Sequence, residues 1–366
     1  MLSPLAWIYA QIANLRNWMC DRGLLRSFDL GARTISVGNI TVGGTGKTPL
    51  VAYVAEILSD RGERVCVLTR GYGRRDPKQR VLVSDREQIL ANAIDAGDEP
   101  VELAQRLLGK AVVVADGDRV SAARWAKDKF GITAFVLDDG FQHRRAKRDV
   151  DIVCIDATNP FGGGKMLPVG RLREPIRNLR RADIVVVTRC NLVGEISNLR
   201  SEISDSEILN LRSEISKLAP NSRVFLAKNK IIGLVEIEKF QNGSDGTESI
   251  DQGESPSDDH AERPNDDVPE NSAFAFCALG NPDNFFAQLA KEDLTVAGTK
   301  TFTDHHFYKQ NDLDAIVRDA RNVDAQILLT TAKDAVKMQD LECALPCFVV
   351  VIEMQFEDEG AFASLL

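Results

Sequence analysis

One octapeptide carries the residue types that phosphate chemistry needs. Thr41-Val-Gly-Gly-Thr-Gly-Lys-Thr48 matches a phosphate-binding loop, except that Thr41 stands at the first position in place of glycine. Gly43, Gly44 and Gly46, spaced by Val42 and Thr45, let backbone N–H groups turn inward on phosphate oxygens, and a helix beginning near Lys47 offers its positive end to the same anion. Lys47 would reach the β- and γ-phosphates, and Thr48 would place a hydroxyl on Mg²⁺. Pro49 is tolerated there, because the first helical turn has no N–H partner to lose. A partition-type ATPase loop would carry a lysine just after its first residue; Val42 occupies that place. Downstream, the apolar run Thr133 to Leu137 ends in Asp138-Asp139, and a strand delivering an aspartate to the carboxyl edge of a sheet is the usual second half of such a site. Asp138 or Asp139 would help hold Mg²⁺ opposite Thr48. The strand-like run Arg64 to Thr69 feeds a basic, glycine-rich loop, Arg70-Gly-Tyr-Gly-Arg-Arg75, suited to a second anionic group.

These loops need strands and helices to hold them. A β-rich run enters the phosphate loop and a helical pattern, Pro49 to Asp60, leaves it. A helix over Val101 to Leu108, a strand over Ala111 to Ala115, a helix over Arg119 to Lys129 and strands over Asp151 to Ile155 and Ala182 to Thr188 follow in turn. Strand alternating with helix predicts an α/β fold with a P-loop NTPase-like parallel sheet. Arg223 to Ala227, Gly233 to Glu236, Ala273 to Leu279, Ile327 to Thr330 and Cys347 to Ile352 read as strands of a second, smaller α/β lobe. The expected organisation is therefore an amphipathic helix over 1–30, a core over 31–222 and a second lobe over 223–366. The heptapeptide Asn-Leu-Arg-Ser-Glu-Ile-Ser occurs at Asn198 and again at Asn210, and reads as a local duplication lengthening one polar helix.

With 366 residues, 44% of them hydrophobic, the chain is long enough for two cores. Its net charge of −9 is a local matter, since residues 241–272 hold ten acids against one base and the remainder balances. That acidic Ser/Gly/Pro/Asp stretch has almost nothing apolar to bury and is expected to be a disordered insertion. Balanced charge elsewhere, without an aromatic-basic motif, argues against nucleic acid as a partner. Seven cysteines lie scattered, several inside apolar runs, and read as buried thiols of a reducing compartment.

Near the amino end Leu5, Ile8, Ile12, Leu15 and Met19 recur every three or four residues, with Trp7 and Trp18 beside them. Two readings of this amphipathic helix stand together: packing on the body of the protein, or lying in a membrane interface with tryptophans at headgroup depth. Gln11, Asn14 and Arg16 interrupt it too early for a membrane span, and the absence of a basic start before an unbroken apolar core argues against a secretory signal.

Several stretches together resemble the tetraacyldisaccharide 4′-kinase family of lipid A biosynthesis. They are Val37 to Pro49, Thr69 to Arg74, Gly97 to Pro100, Leu137 to His143, Leu167 to Pro175, Gly280 to Pro282, Asp304 to His306 and Thr331 to Lys337. The family also uses a non-glycine residue at the position of Thr41. The resemblance implies ATP on Thr41 to Thr48 with Mg²⁺, and Asp98 as the base paired to a histidine of Asp304-His305-His306, with His305 favoured. It makes Asp138, Asp139 and Glu174 metal- and phosphate-positioning acids, and gives Arg70, Tyr72 and Arg173 contacts to substrate or phosphate. It further implies a lipid A disaccharide precursor as acceptor. The stripe, Trp7 and Trp18 and the arginine-rich strand-end loops, without a spanning segment, point to a peripheral or monotopic place on the cytoplasmic face of the inner membrane, and the protein is expected to be a monomer. A nucleotide switch with slow hydrolysis is the competing class; its guanine-reading segment has only a loose counterpart in Thr188-Arg-Cys-Asn191.

Overall fold

The computed structural model describes residues 3–193, 204–242, 272–292 and 294–366. Two compact units divide the chain, one of 1–230 with 353–366 and one of 231–352. The first opens with helix α1 (Ser3–Asp21), strand β1 (Arg33–Gly38), helix α2 (Lys47–Asp60) and strands β2 (Val65–Thr69) and β3 (Val81–Ser84). Helices α3 (Ala93–Ala96) and α4 (Asp98–Arg106), strand β4 (Ala111–Ala115), helix α5 (Arg119–Phe130), and strands β5 (Ala134–Asp138), β6 (Val150–Asp156) and β7 (Ile184–Thr188) follow. Helix α6 (Ser204–Leu218) then leads to β8 (Arg223–Glu236), which carries the chain into the second unit.

In the first unit the strands run β8-β7-β6-β1-β5-β2-β4-β3. All neighbours are parallel except β3, which pairs antiparallel with β4 at the edge. Every residue of β2, β4, β5 and β7 is buried, as expected of a parallel sheet covered on both faces. The valine-rich sequences of these strands suit that double burial, since branched side chains fill both sides of the pleat. Cys66, Leu68, Val114, Phe135 and Leu137 share a cluster with Ala122, Ala123 and Ala126 of α5, while Val153, Ile155, Val185 and Val187 pack with Ile215 of α6. Register places the site: Val37 near the end of β1 lies opposite Asp138 at the end of β5. The loop leaving β1 therefore emerges beside the Asp138-Asp139 pair.

The second unit contains helix α7 (Ile237–Gln241), β9 (Ala273–Cys277), α8 (Asp283–Lys291), β10 (Val296–Thr301), α9 (Gln310–Arg321), β11 (Ile327–Thr331), α10 (Ala332–Ala335) and β12 (Cys347–Phe356). Its strands run β10-β9-β11-β12 in parallel around Phe274, Phe276, Leu313, Ile316 and Leu328. The chain finishes in α11 (Glu359–Ala363), back in the first unit.

Several sequence expectations differ in extent. The runs Arg223 to Ala227 and Gly233 to Glu236 form one continuous strand, β8, across the polar Lys228-Asn-Lys230. The unit boundaries fall within β8 and β12 and not at 222/223, and 353–366 belongs with the first unit. Of the duplicated heptapeptide, the second copy lies in α6, whereas the first is almost wholly outside the described residues. The acidic stretch, but for its first two residues and its last, also lies outside them.

The stripe of α1 faces outward. Leu5, Trp7, Ile8, Ile12, Leu15 and Trp18 are exposed, Met19 is half-buried, and the helix turns Ala13 and Asn17 inward instead. The helix does meet the body of its unit, but not through the stripe: Ala13 and Asn17 are buried, and Arg16 and Asp21 pair with Glu174 and Arg144. No helix among the described residues is long and apolar enough to cross a membrane.

Candidate active site

The phosphate loop turns between β1 and α2. Gly43 and Gly46 hold φ of 104° and 78°, a left-handed region that side chains resist, and Gly46 caps α2 with no side chain closing the helix end. Beneath the loop, the Thr45 carbonyl accepts hydrogen bonds from the Thr188 hydroxyl and the Cys154 thiol, both at 2.9 Å, and the Thr45 hydroxyl accepts from Asn39 Nδ2 at 2.9 Å. Arg189 Nη1 donates to the Gly44 carbonyl at 2.7 Å and also pairs with Asp156. These contacts fix the carbonyls on the sheet side, the arrangement in which the opposite side can present N–H groups to an anion.

A second segment, 171–174, lies along the loop. Val42 N donates to the Arg171 carbonyl at 2.8 Å, Thr41 bridges Leu172, and Arg173 N donates to the Ile40 carbonyl at 2.7 Å. Arg171 Nε reaches the Val42 carbonyl at 3.2 Å, and its guanidinium lies so close to Gly43 that a Cβ there would stand 2.1 Å from Nη2. The resemblance covers Leu167 to Pro175 without assigning Arg171; the sequence signal for it is the pair of arginines, Arg171 and Arg173, between Pro168 and Pro175.

Lys47, Asp139 and Arg173 meet. Lys47 Nζ lies 2.8 Å from Asp139 Oδ1, while Arg173 Nη1 bonds Oδ1 at 2.8 Å and Oδ2 at 2.6 Å. Burial opposes charge on Asp139, but the Lys47 ammonium and the Arg173 guanidinium outweigh it and hold the carboxyl well below the usual carboxylate range. Asp138 behaves oppositely. Burial, then the nearby charge of Glu99, pushes its carboxyl up to about 6. Its Oδ2 accepts from the Thr69 hydroxyl at 2.9 Å, and its carbonyl accepts from the buried Arg119 at 2.7 Å.

A Thr hydroxyl, one aspartate and nucleotide phosphates are the usual holders of Mg²⁺ in such a site, so a cage of protein carboxylates is unnecessary. No group of three or more His, Cys, Asp or Glu able to hold a metal occurs among the described residues. Thr48, one residue after Lys47 in the first turn of α2, and Asp138, beside Asp139, fit this donor set.

Asp98 begins α4 and is buried. Gly97 before it has φ 97°, and a Cβ there would stand 2.7 Å from the Tyr72 carbonyl, so the absence of a side chain lets the Asp98 turn close on the loop after β2. That contact sets Asp98 next to a close approach to the Gly71-Tyr72 backbone, in the loop whose Arg70 and Tyr72 are exposed. Glu174 is engaged elsewhere. It is fully buried, and its two oxygens accept from Arg16 at 3.1 Å, Asn17 at 2.7 Å, Asn178 at 2.9 Å and Arg181 at 3.0 Å, none of them in the phosphate loop.

In the second unit His305 has φ 61° and lies beside Asp304, whose Oδ1 is 3.1 Å from Lys333 Nζ. His306 instead bonds Asp312 at 3.1 Å and stacks on Phe302 with centroids 4.8 Å apart, which makes it part of the packing of its own unit. Asp334 supports the strand ends here: it accepts from Ala278 N at 3.1 Å and the Thr331 hydroxyl at 2.7 Å, and pairs with buried Lys337 at 2.9 Å.

A parallel sheet with a glycine loop, a lysine opening the following helix and paired aspartates on the neighbouring strand defines a phosphate-loop protein built for phosphoryl groups. Within that class the chain belongs to the tetraacyldisaccharide-1-P 4′-kinase family, whose model matches residues 1–366. The tetraacyldisaccharide 4′-kinase of Halothermothrix orenii is 38% identical over 338 residues, covering 92% of this chain and 82% of that protein. That of Syntrophus aciditrophicus is 36% identical over 357 residues, covering 96% and 88%. A solved structure of the "apo" form of LpxK from Aquifex aeolicus in complex with ATP matches with a TM-score of 0.72 at 29% identity, covering 100% of this chain and 96% of that one.

Proposed function

We infer that the protein transfers the γ-phosphoryl group of ATP to the 4′-hydroxyl of a tetraacyldisaccharide 1-phosphate, as a Mg²⁺-dependent lipid kinase. The observation that carries this reading is the Lys47–Asp139–Arg173 cluster at the phosphate loop of a chain that belongs to the family along its whole length. Lys47 neutralises the phosphates, and Asp139 aims it while Arg173 aims Asp139. Thr48 and Asp138 would hold Mg²⁺, which would supply positive charge against the phosphate oxygens as charge shifts during transfer. Asp98 takes the proton of the attacking hydroxyl, and Arg70 and Tyr72 meet the acceptor. The role of His305 follows the family resemblance; His305→Ala should lower kcat with the KM for ATP unmoved, and an unchanged kcat would remove it from the reaction.

The exposed stripe of α1 supports a further part of the reading, that the enzyme works at the cytoplasmic face of the inner membrane as a peripheral or monotopic protein. Six large apolar side chains on one helix, two of them tryptophans, are suited to the headgroup boundary. ATP consumption by the purified protein with and without the acylated disaccharide tests the proposal. Strong dependence on the lipid is expected; equal consumption without it would favour a nucleotide switch.

A further inference from the structure

The attachment of α1 is unusual for an amphipathic helix. Of its residues from Pro4 onward only Ala13 and Asn17 are buried, so apolar packing contributes little to holding it. The joint is polar. Arg16 and Asn17 donate to Glu174, Arg181 donates to both Glu174 and the Asn17 side chain, and Asn178 adds a fourth donor to the carboxylate. Arg144 reinforces it from the loop after β5, donating to the Asn17 carbonyl at 3.0 Å and pairing with Asp21 at 2.7 Å.

Both loops that grip α1 also form the phosphate site. Glu174 follows directly on Arg173, which clamps Asp139, and on Leu172, which bridges Thr41. Arg144 lies on the loop that begins with Asp139, and the Arg181 guanidinium sits 4.2 Å from the ring of Phe141 in that same loop. A short, hydrogen-bonded path therefore joins the inner face of α1 to the residues that hold Lys47.

We propose that Glu174 is a positioning residue that fastens α1 to the phosphate site and so sets where a lipid acceptor gathered by α1 meets Lys47 and Asp139. This rests on the reading of α1 as the lipid-facing element. A carboxylate suits the task because a charged, fully buried acceptor binds several donors strongly and directionally. An apolar seam would compete with the outward stripe for the same lipid. Three of the four donors, Asn17, Asn178 and Arg181, converge on Oε2 and Arg16 takes Oε1, so the carboxylate is committed chiefly to α1 and the segment 178–181.

The test uses the full chain with Glu174→Gln, which keeps the size and removes the charge. Hydrogen exchange without lipid is expected to quicken about tenfold or more in the Ala13–Asp21 half of α1, with α2 unchanged. The KM for acylated disaccharide in mixed micelles should rise about tenfold, leaving the KM for ATP and the Mg²⁺ titration as in the wild type. A shifted Mg²⁺ or ATP dependence with α1 still protected would make Glu174 part of the metal site and overturn the proposal, as would faster exchange in α1 with the lipid KM unmoved. Should Glu174→Gln fail to fold, Asn17→Ala breaks the joint from the helix side and the same outcomes decide. A wild-type protein that phosphorylates no lipid would refute the functional reading instead, a result visible before any variant is made.

Discussion

Replacing Lys47 by methionine separates the catalytic part of the site from its structural part. The ammonium lies 2.8 Å from Asp139, but Arg173 keeps that carboxylate through contacts at 2.8 and 2.6 Å, so the variant does not strand a buried charge. The Lys47 and Asp139 side chains are 13% and 29% exposed, and with Arg173 still neutralising the carboxylate the loss of this partly screened pair should cost about 1 kcal/mol or less of folding stability. The melting temperature should move by only a few degrees. Chemistry is affected far more, because a fixed positive charge aimed at the transferring group is worth about 2.7–4 kcal/mol, on the order of 10²–10³ in kcat. A depressed carboxyl stabilises the fold above its unfolded value and loses that contribution as pH falls below about 4. Lys47→Met should therefore flatten the acid side of the stability profile slightly. Single-turnover transfer from labelled ATP, measured beside thermal melts from neutral pH down into the acid range, checks both parts. A folded variant working near the wild-type rate would refute the phosphate-loop assignment, and a collapse in melting temperature would show that the pair is chiefly structural.

Asp98→Ala should lower kcat by about 10²–10⁴ with the KM for ATP unmoved; a loss confined to ATP binding would make Asp98 a nucleotide residue. Because burial, then Glu99, raises the Asp138 carboxyl to about 6 without metal, the Mg²⁺ concentration needed for half-maximal turnover should rise as pH drops through that value, while saturating Mg²⁺ holds the carboxylate ionised and moves the fall to lower pH. Ionised Asp138 weakens the fold above pH 6 and that strain is relieved below it, so Asp138→Asn should lose activity yet melt no lower at pH 7; a lower melting point would contradict the raised value. Ile8, Ile12 and Leu15 replaced together by serine should move the protein off vesicles and raise the KM for lipid alone, with melting little changed because all three side chains are exposed. Unchanged vesicle binding would remove α1 from the lipid-facing role.

The phosphate loop was legible because its chemistry is local: three glycines free the backbone of one turn, and the lysine and threonine that follow add an ammonium and a hydroxyl. The buried strands were legible for a similar reason, as runs such as Ala111 to Ala115 suit only a doubly covered sheet. β3 was not, being a short edge strand of mixed exposure, and β10 alternates around Gly298 and two threonines with little apolar signal. β8 read as two strands because Lys228 to Lys230 is polar, although pairing along a sheet tolerates outward lysines. The clamp on Asp139 joins positions 47, 139 and 173, and no spacing rule links residues that the sheet brings together. Glu174 shows the same limit: the resemblance assigned it to phosphate or metal, while only the packing of α1 reveals the four donors around it.

The most direct test of the central claim is the position of the transferred phosphate. Purified protein, ATP, Mg²⁺ and a tetraacyldisaccharide 1-phosphate should yield a product carrying one added phosphoryl group, and phosphorus–proton correlation in its NMR spectrum should place that group on the 4′-oxygen. ATP turned over to free phosphate with the disaccharide unchanged, or a phosphate on another hydroxyl, would contradict the account.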